Sequence, residues 1–357
     1  MEKITDINVE SYTPVLSPDA LIDELPLSAR AMETVSYSRK TIRDILDKKD
    51  RRLLIITGPC SIHDRESAME YAERLKILSK KVESRLYLIM RVYFEKPRTS
   101  IGWKGLINDP CLDGSCDIES GLRMARKLLL EITELGIPAA TEMLDPITPQ
   151  YMADLISWSA IGARTTESQT HREMVSGLSM PVGFKNSTDG DLMVAVNGIK
   201  AAAHPQKFIG IDGMGRTSIV ETKGNPYTHV VLRGGMRPNY DSVSIRDTVA
   251  RLNKNNLRDS LIIDCSHGNS SKDYNMQPGV WQDVINQRLD GNGAITGLML
   301  ESNIHEGNQP VGDNPENMKY GVSITDACIS WEMTEDLILS TYNYLEEHEE
   351  NNARYCF

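Results

Sequence analysis

Two groups of side chains in this 357-residue chain have types suited to chemistry. The first is a set of cations, Arg91, Lys96, Arg98, Arg164, Lys185 and Arg233, each placed at or just after a short apolar run. Unpaired cations gathered at one mouth repel one another, so such a cluster makes sense chiefly when anions fill it. A phosphate with a carboxylate, or two phosphates, would match the count. Taken singly, each cation reads equally well as one that snorkels at a strand end or pairs with a helix carboxylate. The second group is Cys60, His267, Glu301 and Asp326. Mixed S, N and O donors at separate strand ends suit a borderline divalent transition ion with room left for substrate or water. The spacing is not of the CxxC type. Singly, Cys60 reads as a small buried hydrophobe, His267 as a satisfied loop histidine and Glu301 as a partner for an arginine, so spacing alone leaves both readings open.

These residues sit in an acidic chain of ordinary globular composition, with 39 Lys+Arg against 50 Asp+Glu and a net charge of -11. Without a Lys/Arg block, such a surface repels phosphate backbones and anionic lipid, which argues against nucleic-acid and membrane partners. The N-terminus has no basic start and no apolar core segment, and no 18 apolar residues run uninterrupted, so a cytoplasmic location is expected. The six cysteines (Cys60, Cys111, Cys116, Cys265, Cys328, Cys356) are scattered, as expected of free thiols in a reducing compartment.

The elements that must position the two groups follow from the period of the apolar residues. Strands are expected at Leu53–Cys60, Leu86–Tyr93, Pro138–Leu144, Trp158–Thr166, Pro181–Asn186, His229–Gly235, Leu261–Gly268 and Ile295–Ser302. Amphipathic stretches at Glu66–Val82, Glu119–Leu135, Pro149–Trp158, Asp191–Ala203, Ser244–Asn255 and Val280–Leu289 lie between them. Near-continuous apolar strands alternating with helices imply a parallel sheet covered on both faces. Eight such units, with no GxGxxG opening the first, favour an α/β (β/α)8 TIM barrel over an open sheet. The expected organisation is an N-terminal extension over 1–48, with one helical pattern at Ser28–Lys48, and a catalytic barrel over 49–357. Inside the barrel, before strand six, an insertion over 207–224 alternates like a hairpin around Asp212-Gly213 and Gly215. Additions of this kind serve oligomer contacts or regulation. In such barrels chemistry sits where the strands end, and the expected ends are Cys60, Arg91, Glu142, Arg164, Lys185, Arg233, Asp264 with His267, and Glu301.

Several of these strand ends carry longer motifs: Gly58-Pro59-Cys60-Ser61-Ile62-His63-Asp64, Arg91 through Thr99 with Gly102-Trp103-Lys104-Gly105, and Gly162-Ala163-Arg164-Thr165-Thr166-Glu167-Ser168. Pro181-Val182-Gly183-Phe184-Lys185-Asn186, Leu232-Arg233-Gly234-Gly235, Ser266-His267-Gly268-Asn269-Ser270 and Ser323-Ile324-Thr325-Asp326-Ala327-Cys328 continue the series. From Leu53 onward the chain resembles the type I 3-deoxy-D-arabino-heptulosonate 7-phosphate (DAHP) synthases. The resemblance implies a metal-dependent condensation of phosphoenolpyruvate with erythrose 4-phosphate, the first step of the shikimate pathway, with release of inorganic phosphate. It implies one divalent ion (Mn, Fe, Co or Zn) on Cys60, His267, Glu301 and Asp326. Arg91, Lys96, Arg164, Lys185 and Arg233, with Glu142 nearby, match the phosphoenolpyruvate residues, Lys96-Pro97-Arg98-Thr99 matches the erythrose 4-phosphate loop, and Gly162 and Ala163 are further expected substrate-binding residues. Lys96, Glu142 and His267 are the expected catalytic residues, Glu142 as a carboxylate that orients water.

The resemblance also implies feedback inhibition by an aromatic amino acid, in a pocket built partly from the hairpin. The matching positions are Asp145, Pro149, Gly177, Leu178, Ser179, Phe208, Gly210 and Val220. Gly210 leaves space at the far end of that pocket, and Glu301–Gln309 and Met318–Val322 resemble the tyrosine-sensitive branch, so tyrosine is the expected inhibitor. An alternative is that Gly210 is only a turn or bulge residue. A homodimer or homotetramer is expected by the same resemblance. Rival readings are a relative that uses another phosphosugar, a barrel that only senses an aromatic amino acid, and an aldolase for unphosphorylated ketoacids. The Lys96–Thr99 loop and the long extension speak against the first, the intact ligand and cation sets against the second, and the surplus of cations against the third.

Overall fold

The apolar runs pair in parallel, and the pairing closes on itself. The computed structural model describes residues 4–312 and 317–354, with side chains as far as His348. Its strands are β1 (Leu53–Gly58), β2 (Leu86–Arg91), β3 (Ala139–Glu142), β4 (Ile156–Ile161), β5 (Val182–Lys185), β6 (Lys207–Ile211), β7 (Thr217–Glu221), β8 (Thr228–Leu232), β9 (Leu261–Asp264) and β10 (Ile295–Glu301). Eight of them form a closed barrel in the order β1-β10-β9-β8-β5-β4-β3-β2, and β6 and β7 stand apart as an antiparallel hairpin. Strands buried along their whole length on both faces, such as β1 and β4, need this cover from a barrel interior inside and helices outside.

The helices are α1 (Pro18–Glu24), α2 (Ala29–Leu46), α3 (Arg65–Val82), α4 (Ile118–Glu134), α5 (Pro149–Met152), α6 (Gln169–Gly177), α7 (Met193–Ala203), α8 (Ser242–Lys254), α9 (Gln277–Leu289) and α10 (Trp331–Arg354). Most start at a side-chain cap. Ser28 accepts from Ala31 N before α2, Asp64 from Glu66 N and Ser67 N before α3, and Asp241 from Val243 N and Ser244 N before α8.

The Pro149–Trp158 stretch is not one helix. α5 ends at Met152, a 3-10 turn covers Ala153–Leu155, and β4 begins at Ile156, earlier than its expected start at Trp158. β4 also stops at Ile161, because the amides of Thr165 and Thr166 turn back onto Gly162 O. α1, α6 and α10 had no counterpart in the sequence reading.

The extension contributes to the barrel itself. Ile42, Ile45 and Leu46 of α2 are buried in one cluster with the interior residues Leu54, Ile56, Ile89, Ala140, Trp158, Val231 and Met299. Arg39 holds α2 to the start of β4, donating to Ile156 O at 2.8–2.9 Å, and Ser260 Oγ donates to Leu46 O at 2.6 Å. α2 thus plugs the end at which the strands begin, leaving the opposite end open. At that lower end His229 is fully buried, with Nε2 accepting from Trp158 Nε1 at 3.2 Å. Cys60, Cys111, Cys116, Cys265 and Cys328 are free thiols, and Cys356 lies outside the described residues. Among the described residues no helix is long and apolar enough to cross a membrane.

Candidate active site

Parallel closure delivers the last residue of every strand to one end. Arg91 closes β2, Glu142 β3, Lys185 β5, Asp264 β9 and Glu301 β10; Cys60 follows β1, Gly162-Ala163-Arg164 follow β4, and Arg233 follows β8. One cavity of about 380 Å³ opens there, lined by all six cations, by Pro97, Glu142, Gly162, Ala163, His267 and Glu301, and by Asp326. Cys60 is fully buried beneath it. Thr99, expected in the same loop, is exposed and stands outside the lining.

Two of the six cations are neutralised inside the protein. Arg91 Nη2 donates to Glu301 Oε1 at 2.8 Å, and its guanidinium lies 3.6 Å from the centre of the Tyr93 ring. Lys185 Nζ donates to Asp264 Oδ2 at 2.7 Å. Among the described residues no carboxylate forms an ion pair with Lys96, Arg98, Arg164 or Arg233. These four supply the positive excess of the mouth. Burial lowers the pKa of Arg233, and neighbouring Arg164 lowers it further; an anion between the two would relieve both effects.

Cys60 Sγ and carboxylate oxygens of Glu301 and Asp326 all lie within 4.8 Å of one another. Cys60 Sγ is 3.7 Å from Asp326 Oδ2, and His267 Nε2 is 3.8 Å from Glu301 Oε1. Ligands at metal-bond lengths around a tetrahedral centre are separated by roughly 3.3–3.8 Å, so these spacings and this donor set fit one divalent ion. His267 stands at the edge of the trio. Burial pushes the Cys60 thiol up, with Glu301 adding to the effect, while Lys96 Nζ at 3.0 Å from Sγ opposes it. Asp326 titrates below the usual carboxylate range: burial works against this, but Lys96 and His267 outweigh it.

Asp264, expected as a strand end but assigned no role from sequence, ends β9 within this network. It is fully buried, and its Oδ2 accepts from Lys185 Nζ and lies 2.9 Å from His267 Nδ1, while Oδ1 accepts from Ser266 N and Oγ; Ser266 Oγ is in turn 2.7 Å from His267 Nδ1. Its pKa lies well below the usual range, because Lys185 and His267 overcome the cost of burial. Held on its Nδ1 side by Ser266 Oγ and the adjacent Asp264 carboxylate, the ring turns Nε2 toward Glu301, as outer partners do for a ligating histidine. His267 adopts φ 59, a left-handed conformation uncommon for a residue with a side chain.

Glu142 is buried, and its Oε1 has no hydrogen-bond partner among the described residues. A Cβ on Gly162 would lie 2.2 Å from that oxygen, so glycine there gives the carboxylate its place.

The expected inhibitor residues fall on three elements. Phe208 pairs with Val220 across the hairpin, and Gly210 lies within β6 opposite Ser218, not at the turn. A Cβ on Gly210 would meet Val220 Cγ2 at 2.9 Å. Gly177, Leu178 and Ser179 end α6 at the base of the hairpin, where Ser176 Oγ and Thr222 Oγ1 are 2.6 Å apart. Asp145 lies in the β3–α5 connection and Pro149 opens α5, and the connection is tied to α6 by His171 Nε2 at 2.6 Å from Leu144 O.

A sequence profile described as the DAHP synthetase I family matches residues 25–338. The chain belongs to this family. Among its relatives is the protein named phospho-2-dehydro-3-deoxyheptonate aldolase, Tyr-sensitive, of Escherichia coli (strain K12), 56% identical over 337 residues that span 94% of this chain and 95% of that one. The Phe-sensitive protein of the same organism is 51% identical over 338 residues, 95% of this chain and 96% of its own. A solved structure of phospho-2-dehydro-3-deoxyheptonate aldolase from Francisella tularensis SCHU S4 superposes with a TM-score of 0.92 at 47% identity, covering 94% of this chain and 98% of that one. This DAHP synthetase I family member therefore shares both the barrel and nearly its whole length with its relatives.

Proposed function

We propose that this chain condenses phosphoenolpyruvate and D-erythrose 4-phosphate with water to give DAHP and inorganic phosphate, the first step of the shikimate pathway. The observation that carries the reading is a single cavity in which cations without ion partners surround a thiol and two carboxylates at metal-ligand spacing. Three anionic groups, two phosphates and one carboxylate, answer the positive excess.

In this reading Arg91, Arg164, Lys185 and Arg233, with the turn at Gly162-Ala163, hold phosphoenolpyruvate. Lys96, Pro97, Arg98 and Thr99 hold the tetrose phosphate. Cys60, His267, Glu301 and Asp326 would hold one divalent ion, Mn, Fe, Co or Zn, which when bound supplies Lewis-acid polarisation of the aldehyde oxygen. The new bond forms between C3 of phosphoenolpyruvate and the aldehyde carbon. Lys96 stands between the two halves and stabilises negative charge on that oxygen as the bond forms. Water adds to the electron-poor C2, and phosphate leaves by C–O cleavage. Glu142, with a buried oxygen free of protein donors, orients that water and takes its proton.

The test is loss of phosphoenolpyruvate absorbance with erythrose 4-phosphate or arabinose 5-phosphate, before and after chelation and with Mn²⁺ restored. Turnover that needs metal and only the tetrose is expected. Turnover with the pentose, or none in folded enzyme, would overturn the assignment.

Tyrosine is proposed as the inhibitor, in a pocket of Asp145, Pro149, Gly177, Leu178, Ser179, Phe208, Gly210 and Val220. The relatives' names support it. Inhibition by phenylalanine with no effect of saturating tyrosine would reject it. The extension over 1–48 and the hairpin are proposed to make homodimer or homotetramer contacts, because Ile209, Met214 and Ile219 of the hairpin are 79%, 62% and 70% exposed. A monomeric elution volume for active enzyme would reject that. A cytoplasmic location is proposed with these.

A further inference from the structure

β9 ends at Asp264, opposite Met299, so the β9 ladder stops two residues before Glu301, where β10 ends. Beyond it, Ser302 N donates to Gly58 O on the β1 side, whereas the backbone of Glu301 faces the side that β9 has vacated. A side chain fills this rung. Gln277, the first residue of α9 and 1% exposed, accepts from Glu301 N through Oε1 at 2.9 Å and donates to Glu301 O through Nε2 at 3.0 Å. A primary amide presents donor and acceptor as a peptide unit does, so this pair reproduces the contact of a neighbouring strand. Glu301 O also accepts from Ile329 N, but Glu301 N donates to Gln277 alone among the described residues.

The residue so clamped matters for the cavity. Glu301 Oε1 accepts from Arg91 and lies 3.8 Å from His267 Nε2, and the carboxylate belongs to the close trio with Cys60 and Asp326. Gln277 itself lines the cavity. We infer that Gln277 is a positioning residue, an amide clamp that extends the barrel ladder by one rung and sets the Glu301 carboxylate for metal binding. The inference rests on the metal reading above.

The test is titration of metal-free enzyme with Co²⁺ alone, followed by thiolate-to-metal absorption and by equilibrium dialysis, in the natural protein and in Gln277→Leu. Loss of a hydrogen-bonded partner that orients a ligand weakens metal binding roughly 10- to 100-fold, and that loss is expected here. The KM for phosphoenolpyruvate at saturating metal should move less than the metal constant. A purely structural role would instead lower the thermal midpoint of the metal-free protein and leave the Co²⁺ constant of the folded protein unchanged, and that result overturns the inference. Gln277→Met, unbranched and close in length, carries the test if Gln277→Leu does not fold. Failure of both to fold also overturns it, because the amide would then serve the fold and not the ligand. Absence of Co²⁺ binding by the natural protein would instead refute the metal reading itself.

Discussion

Glu95 precedes Lys96 in the cavity loop and is 6% exposed. Thr148 Oγ1 donates to its Oε2 at 3.0 Å, but burial, reinforced by Asp145, raises its pKa from 4.5 to about 7. The unfolded chain therefore gives up this proton first. The contribution of Glu95 to stability is fully present below pH 4.5 and is lost as pH rises to about 7. At 1.36 kcal/mol per tenfold change, the loss is about 3 kcal/mol. Glu95→Gln keeps an acceptor for Thr148 and cannot ionise. In urea unfolding the variant should be about 3 kcal/mol more stable than the natural protein at pH 8, relative to their difference at pH 4.5. A stability difference that stays constant between the two pH values would refute the argument, because it would mean that the folded carboxyl ionises like an exposed one.

Three further outcomes follow from the same geometry. His229, held neutral by burial and by Arg258, has its pKa lowered from 6.5 to about 3, so stability should fall on the order of 4–5 kcal/mol as pH drops across that range. Thermal midpoints of His229→Gln, which still accepts from Trp158, should lack this segment of the pH profile. Gly162→Ala should displace Glu142 and lower kcat on the order of 100-fold with the circular dichroism spectrum unchanged; full activity would remove Glu142 from the reaction. Asp264→Asn leaves Lys185 without its counter-charge and should cost about 3–5 kcal/mol in stability while weakening metal binding, read by denaturation and by Co²⁺ titration. An unchanged Co²⁺ constant would separate Asp264 from the ligand set.

The sequence by itself determined the class of fold and the address of the site. An apolar strand period and a helical period are local properties, visible in LLIITG and in the stretch after Asp64, and a parallel barrel must present its strand ends on one face. Hence Arg91, Glu142, Lys185 and Glu301 were legible as members of one mouth. Local period is weakest where two elements abut without a loop, which is why Pro149–Trp158 read as one helix although β4 starts at Ile156. Only the tertiary structure decided the rest, because the deciding contacts join residues far apart in sequence. Arg91 and Glu301 are 210 residues apart and meet because β1 lies between β2 and β10. Closure also turned two of six cations into internal ion partners and set Asp264 between Lys185 and His267. It made α2 the plug of the barrel, although its sequence shows only an amphipathic helix. Gln277 had no sequence signal at all: a glutamine at a helix start is ordinary, and it clamps Glu301 only because α9 begins beside the rung that β9 leaves open.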